Sequence, residues 1–412
     1  MSRAQVISVG AAHLAGAEDP AGRLVAAALQ AEGAAVGSRT LVDEDEGALE
    51  GALRAGLGAA DLVVVLAAPG GSGGEIVRRV LARLADTRLV LHDRLLELLE
   101  ADFGRRGQAM PRRLDRLALL PQGAQLWPAP SGEPAWTLAV ADATVVVLPA
   151  GSPHLAALAQ DQLRPLARLA GRTGEVVLAR TLRAIGLAPA DAEERLGPWL
   201  GGATGPVAVT CQLEEGEVWV RITARGASRA LAESALTEAD ARVGAALGAD
   251  CYGRDGESLE VVVGRLLQER GLMMATAESC TGGLVASRLT DIAGSSRYFE
   301  RGLVVYSNSA KQELLGVPEA VLRAHGAVSA PTAEAMVRGL LRAANVPCGV
   351  AITGIAGPDG GTPEKPVGTV FIAAAAPSGV TVRRCRFAGT RESIKAQSAR
   401  AALDLLRRAL LA

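Results

Sequence analysis

The stretch L-M-M-A-T-A-E-S-C-T-G-G-L-V-A-S-R-L-T, Leu272 to Thr290, decides the fold. It opens with a short, mostly apolar run of strand length over 272–277. A polar turn with paired glycines follows, and 283–290 then reads as a helix carrying Leu284, Val285 and Leu289. Strand, glycine turn and helix in close succession are the repeating unit of an α/β layer. Working outward, Ser258 can cap a helix whose Leu259, Val262, Val263, Leu266 and Leu267 make one apolar stripe, ended by Gly271. Downstream come a strand over 302–306, a helix over 310–315 and a helix over 332–344 opened by Pro331. A strand over 349–353 leads into a second glycine loop, strands 369–375 and 380–387 read as a hairpin, and a long helix starts at Arg391. This part of the chain is expected to be an α/β layer with an antiparallel edge.

The first part has the same grammar. Strands are expected at 6–9, 61–66 and 145–148, with helices at 23–32 and 75–84 and a glycine-rich loop over 69–74. Short continuous apolar strands between helices mean a mostly parallel sheet covered on both faces. Residues 159–173 read as a helix leading out. Between the two parts, strands 207–213 and 217–224 turn about Gly216, and a helix covers 228–247. With 412 residues the chain exceeds one ordinary core, and three domains are expected: 1–172, 173–252 and 253–412.

Hydrophobic residues make up 49% and charged residues 21%, enough for buried cores. The net charge is −1 and no cationic block stands out, which argues against nucleic acid or an anionic membrane as partner. Aromatics are only 3%, too few for a base-stacking surface. The five cysteines are scattered without C-x-x-C spacing, and the four histidines lack metal-ligand spacing. The start lacks a signal-peptide layout, and no apolar run is long enough to span a membrane. Free thiols and these absences make a cytoplasmic protein the expectation.

Three strand-to-loop junctions of the last part can form one pocket, since ligands in such sheets sit beyond the carboxyl ends of strands. At A-E-S-C-T-G-G, Ser279 reads either as an exposed nucleophile with Thr281, Gly282 and Gly283 amides for an oxyanion, or as a plain helix N-cap. Cys280 is the rival nucleophile, or inert packing. At V-V-Y-S-N-S-A-K, Tyr306 ends a strand and Lys311 falls in the next helical turn. Lys311 is either a solvated surface cation or a desolvated base able to deprotonate a serine. At T-G-I-A-G-P-D-G-G, Thr353, Gly354 and Gly357 can lie against a ligand or make an ordinary loop. Arg391 can pair with a phosphate, and Lys365 is a weaker alternative as base.

In order, A-E-S-C-T-G-G, D-I-A-G-S-S, Y-S-N-S-A-K, H-G-A-V-S, T-G-I-A-G-P-D-G-G and K-P-V-G-T-V resemble the carboxy-terminal domain of the CinA (competence/damage-inducible protein A) family. The resemblance implies a nicotinamide-nucleotide amidase that turns nicotinamide mononucleotide into nicotinic acid mononucleotide and ammonia, without a cofactor. It puts the catalytic serine, lysine and tyrosine at Ser279, Lys311 and Tyr306, and implies a homodimer. Tyr306 is expected to orient or relay the proton. Oxyanion and substrate contacts are expected from Thr281, Gly282, Gly283, Thr353, Gly354, Gly357 and Arg391.

The resemblance extends forward. G-E-V-W-V-R-I-T-A and G-A-D-C-Y-G-R-D-G-E-S-L-E resemble the family's K-homology-like link, and F-G-R-R-G-Q-A-M-P with L-P-Q-G-A its molybdopterin-binding-like domain. That domain in relatives hydrolyses ADP-ribose with a metal. Here G-A-A-H-L replaces G-D-E-L-L, and residues 67–75, A-A-P-G-G-S-G-G-E, replace G-G-L-G-P-T-x-D-D. Only Glu75 remains of the acids, so the divalent metal site and the pyrophosphatase activity are expected to be lost. The alternative is a non-catalytic nucleotide-binding scaffold in competence or DNA-damage response.

Overall fold

The computed structural model describes residues 3–16, 18–127, 134–170, 176–200, 205–214 and 216–412. The chain divides into two compact units. One comprises Met1–Ala179, Ala203–Ala208 and Thr223–Ala239, the other Arg180–Gly202, Val209–Ile222 and Asp240–Ala412. The expected boundary at 172/173 lies outside the described residues. Among the described residues no helix is long and apolar enough to cross a membrane.

In the first unit, strands β1 (Arg3–Val9), β2 (Ala35–Val42) and β3 (Leu62–Ala67) precede the short pair β4 (Leu89–Leu91) and β5 (Leu119–Pro121). Strands β6 (Gln125–Trp127), β7 (Ala135–Val140) and β8 (Ala143–Pro149) complete a sheet of order β2-β1-β3-β8-β7-β6. Its β2, β1, β3 and β8 run parallel, while β7 pairs antiparallel with both β8 and β6. Strand β3 is buried throughout. Its Val63 and Val65 enter one core and Leu62, Val64 and Leu66 the other, the two-residue alternation of a strand covered on both faces. The loop placed at 69–74 is shorter, because the helix Gly71–Leu84 already includes Gly71, Gly73 and Gly74. Gly74 has room only for a hydrogen, since a Cβ would sit 2.5 Å from the Ala68 carbonyl oxygen and 2.6 Å from that of Pro69.

Strands β9 (Val176–Ala184), β10 (Val207–Glu214), β11 (Glu217–Gly226) and β12 (Cys251–Arg254) form a four-stranded sheet of order β10-β11-β9-β12, with a helix at Arg229–Leu247. The second unit ends in a five-stranded sheet of order β14-β13-β15-β16-β17. Its strands are β13 (Met274–Glu278), β14 (Phe299–Val304), β15 (Cys348–Gly354), β16 (Thr369–Ala376) and β17 (Gly379–Arg386). The first three are parallel; β16 and β17 supply the antiparallel edge. On one face Met274, Val350, Ile352 and Ile372 pack with the helices Leu259–Glu269 and Arg391–Leu411. On the other, Ala275, Ala277, Ala351 and Phe371 pack with the helix Ala330–Ala344. The strand expected over 302–306 begins and ends earlier, so Tyr306 lies past its end.

Candidate active site

Strand β13 delivers the first group. Its pairing with β15 carries on one residue further, where the Ser279 amide donates to the Ile352 carbonyl at 3.0 Å. The chain then turns through Gly282 and Gly283, both left-handed (φ 64° and 96°), a backbone that glycine adopts without steric cost. The helix Leu284–Thr290 starts immediately. Its capping group is the buried carboxylate of Glu278. Oε2 accepts from the Gly283 and Val285 amides (3.0 and 3.1 Å), and Oε1 from the Ala286 amide (2.9 Å) and the Thr276 hydroxyl (3.4 Å). Ser279 is therefore not the N-cap.

The second group comes from the helix Asn308–Leu315, capped by Ser307. Lys311 is 1% exposed. Its Nζ lies 3.1 Å from Ser279 Oγ, 2.9 Å from the Val305 carbonyl, 3.1 Å from that of Tyr306 and 3.5 Å from that of Ser307. Burial pulls the amine below the ordinary lysine range, with Cys280 opposing the shift. A solvated surface lysine is excluded. The parallel register brings the two groups together: Glu278 stands opposite Val304, so the residues just beyond both strand ends are neighbours.

The remaining candidates sort unevenly. Cys280 is 6% exposed and packs in the core, its thiol pushed up to about 11 by burial and further by Glu278, which leaves it protonated and a poor nucleophile. The Gly282 and Gly283 amides, expected to face an oxyanion, already donate to the Ser279 carbonyl and to Glu278. The amides of Cys280 and Thr281 donate to no other residue among the described residues. Thr281 keeps its place in the turn, and its buried Oγ1 also lacks a partner there.

Tyr306 departs from its expected role. Its side chain is 62% exposed and its hydroxyl accepts from Arg391 Nη2 at 3.2 Å; only its main-chain carbonyl reaches Lys311. Arg391 also donates to the Gly357 carbonyl at 2.6 Å, tying the start of the last helix to the third junction. Thr353 is 1% exposed and donates to the Ala327 carbonyl at 2.7 Å, so its proton is not available to a ligand. Gly354 closes β15 against Val370. Lys365 donates to the His325 carbonyl at 3.1 Å, which leaves Lys311 as the lysine on the serine.

Two residues escaped the sequence reading. Glu278 could have been found as an acid just ahead of a helix start, a capping signal. Lys395, one helical turn after Arg391, has its Nζ 3.8 Å from where a Cβ of Gly282 would lie. The i, i+4 spacing of two cations at a helix start was its signal.

The corresponding turn of the first unit does not fit a divalent cation. Glu75, the remaining acid of the 67–75 stretch, faces Arg79 (3.7 Å) and Arg116 (3.4 Å), and nearby Glu44 takes the Ser72 hydroxyl. Among the described residues no group of three or more His, Cys, Asp or Glu is placed to hold a metal. A hard cation needs several free carboxylate oxygens, which this turn does not offer.

Residues 256–410 match the family "CinA C-terminal domain", residues 179–253 the "Damage-inducible protein CinA KH domain" and residues 5–168 the "Probable molybdopterin binding domain". A CinA-like protein of Geobacter sulfurreducens is 39% identical over 389 residues, covering 94% of each chain. A CinA-like protein of Syntrophus aciditrophicus is 39% identical over 375 residues, 90% of this chain and 89% of that one. The crystal structure of the competence/damage inducible protein CihA from Agrobacterium tumefaciens is 43% identical, covering 38% of this chain and 98% of that one, with a TM-score of 0.36.

Proposed function

The chain belongs to the CinA family, and on that premise we propose that its carboxy-terminal domain is a nicotinamide-nucleotide amidase. The observation that carries the reading is the buried Lys311 amine 3.1 Å from Ser279 Oγ. An amide is a weak electrophile, so its hydrolysis needs an activated nucleophile, an oxyanion site and a proton for the departing ammonia.

Donor counting gives Lys311 its direction. A neutral amine has two N–H bonds and one lone pair. If the carbonyls of Val305 and Tyr306 take the two N–H bonds, the lone pair faces Ser279 Oγ. Ser279 then attacks the carboxamide carbon of nicotinamide mononucleotide as its proton passes to Lys311. The tetrahedral oxyanion is held by the Cys280 and Thr281 amides. Lys311 returns the proton to the nitrogen, ammonia leaves, and water attacks the acyl-enzyme with Lys311 again as base. Nicotinic acid mononucleotide is released and the serine regains its proton. The cations of Arg391 and Lys395 suit a phosphate beside the turn, with Tyr306 held by Arg391 at the rim.

The first domain, in which Glu75, the remaining acid of the 67–75 stretch, faces Arg79 and Arg116, is proposed to have lost ADP-ribose hydrolysis. The test is ammonia release from nicotinamide mononucleotide by the purified chain. Ser279→Ala is expected to lower the rate by about 10⁶-fold, the scale seen when a hydrolase loses its nucleophile, with circular dichroism unchanged. Persisting activity in that variant would remove Ser279 as nucleophile. Calorimetric binding of the mononucleotide without ammonia would favour the non-catalytic scaffold instead.

A further inference from the structure

Glu278 is the last residue of β13, 1% exposed, directly before the serine. A buried carboxylate is costly unless its oxygens are hydrogen-bonded, and here all the donors are neutral: three main-chain amides and one hydroxyl. No hydrogen bond or ion pair links it to a Lys, Arg or His among the described residues, so ion pairing does not explain its presence. Nor is it placed as a proton carrier, since both oxygens are turned to N–H groups that do not exchange protons with substrate.

The three amides it binds are the ones a helix start ordinarily offers to an anion. With Glu278 on them, Gly283, Val285 and Ala286 are closed to an oxyanion, and Gly282 is closed by the Ser279 carbonyl. The same contacts tie the far end of the turn back to its first strand, so the position of Ser279 Oγ relative to Lys311 Nζ is set from both sides. We infer that Glu278 is the positioning residue of the nucleophile turn, its carboxylate clamping the following helix start so that Ser279 meets Lys311 and the Cys280 and Thr281 amides alone face the oxyanion. This rests on the amidase reading for its substrate but not for its geometry.

The test is Glu278→Gln in the full-length chain, which keeps the shape but replaces one acceptor oxygen with an NH₂ group facing amides. Two readouts are taken: ammonia release, and the rate at which a fluorophosphonate labels Ser279, with Ser279→Ala as the blank. Expected is a fall in kcat of about 100-fold, the scale of a small misplacement of reacting groups, with KM within about threefold and labelling slowed in parallel. Wild-type kcat or wild-type labelling in folded Glu278→Gln would overturn the inference. If the wild type is labelled but releases no ammonia, the amidase reading fails, and slowed labelling in Glu278→Gln still upholds the clamp. Should Glu278→Gln not fold, Thr276→Val removes only the 3.4 Å hydroxyl contact. Labelling slowed several-fold supports the clamp, and an unchanged rate overturns it.

Discussion

Two turns of this molecule share one local shape, a parallel strand running into glycines and then a helix. One spans 68–70 between β3 and the helix Gly71–Leu84, the other 279–283 between β13 and the helix Leu284–Thr290. In the first, the glycines pack: Gly74 lies against the carbonyls of Ala68 and Pro69, and the buried Arg78 guanidinium donates to Pro69 at 3.1 Å. In the second, a carboxylate takes the helix amides and a lysine from the neighbouring connection reaches the serine. The turn alone therefore does not make a site. What distinguishes the second is the group that arrives from the adjacent strand's connection.

The sharpest way to break that comparison is to remove the arriving group. Lys311→Met is expected to lower ammonia release by about 10²–10⁴-fold, the range for loss of a general base, while near-ultraviolet circular dichroism stays native. A smaller effect is expected at the proposed phosphate contact. Arg391→Ala removes one charge-assisted contact, of about 1.5–3 kcal/mol, and is expected to raise KM for the mononucleotide by at least tenfold.

The pH profile sharpens the same point. Lys311 must be neutral to accept a proton, and burial favours the neutral form. The rate constant kcat/KM is expected to climb with rising pH and level off below the ordinary lysine value of 10.5. The sign for stability is the same. The unfolded chain binds the extra proton in the window between the two pKa values, so this lysine's contribution becomes more favourable as pH rises through it. A rate that falls with pH over that window would remove Lys311 as base.

The smallest effects on chemistry separate packing from catalysis. Gly74→Ala forces a Cβ into two carbonyl oxygens and is expected to destabilise the first unit by about 1–3 kcal/mol, read by thermal unfolding, with kcat for the amidase unchanged. Cys280→Ala trims a buried side chain of the core without touching the proton path. It is expected to change kcat less than about tenfold, against the 10²–10⁴-fold range of general acid–base groups.

Much of the fold was legible in the residues. The apolar runs of β3, β13 and β15 declared themselves as buried strands, and Ser258, Gly271 and Pro331 marked helix ends, because periodicity, caps and breakers act within about ten residues. The motifs also nominated Ser279 and Lys311. What the chain alone left open was which reading of each holds. Whether Ser279 caps a helix or faces an amine, and whether Lys311 is solvated or buried, depended on partners 32 residues apart. Tyr306 turning to Arg391, Thr353 spending its proton on Ala327, and Glu278 taking the Gly283 amide expected at an oxyanion are of the same kind. Local sequence determines which segments become strands and helices. Only the register of β13 against β14 and β15, set by packing on both faces of the sheet, decides which donors and acceptors meet.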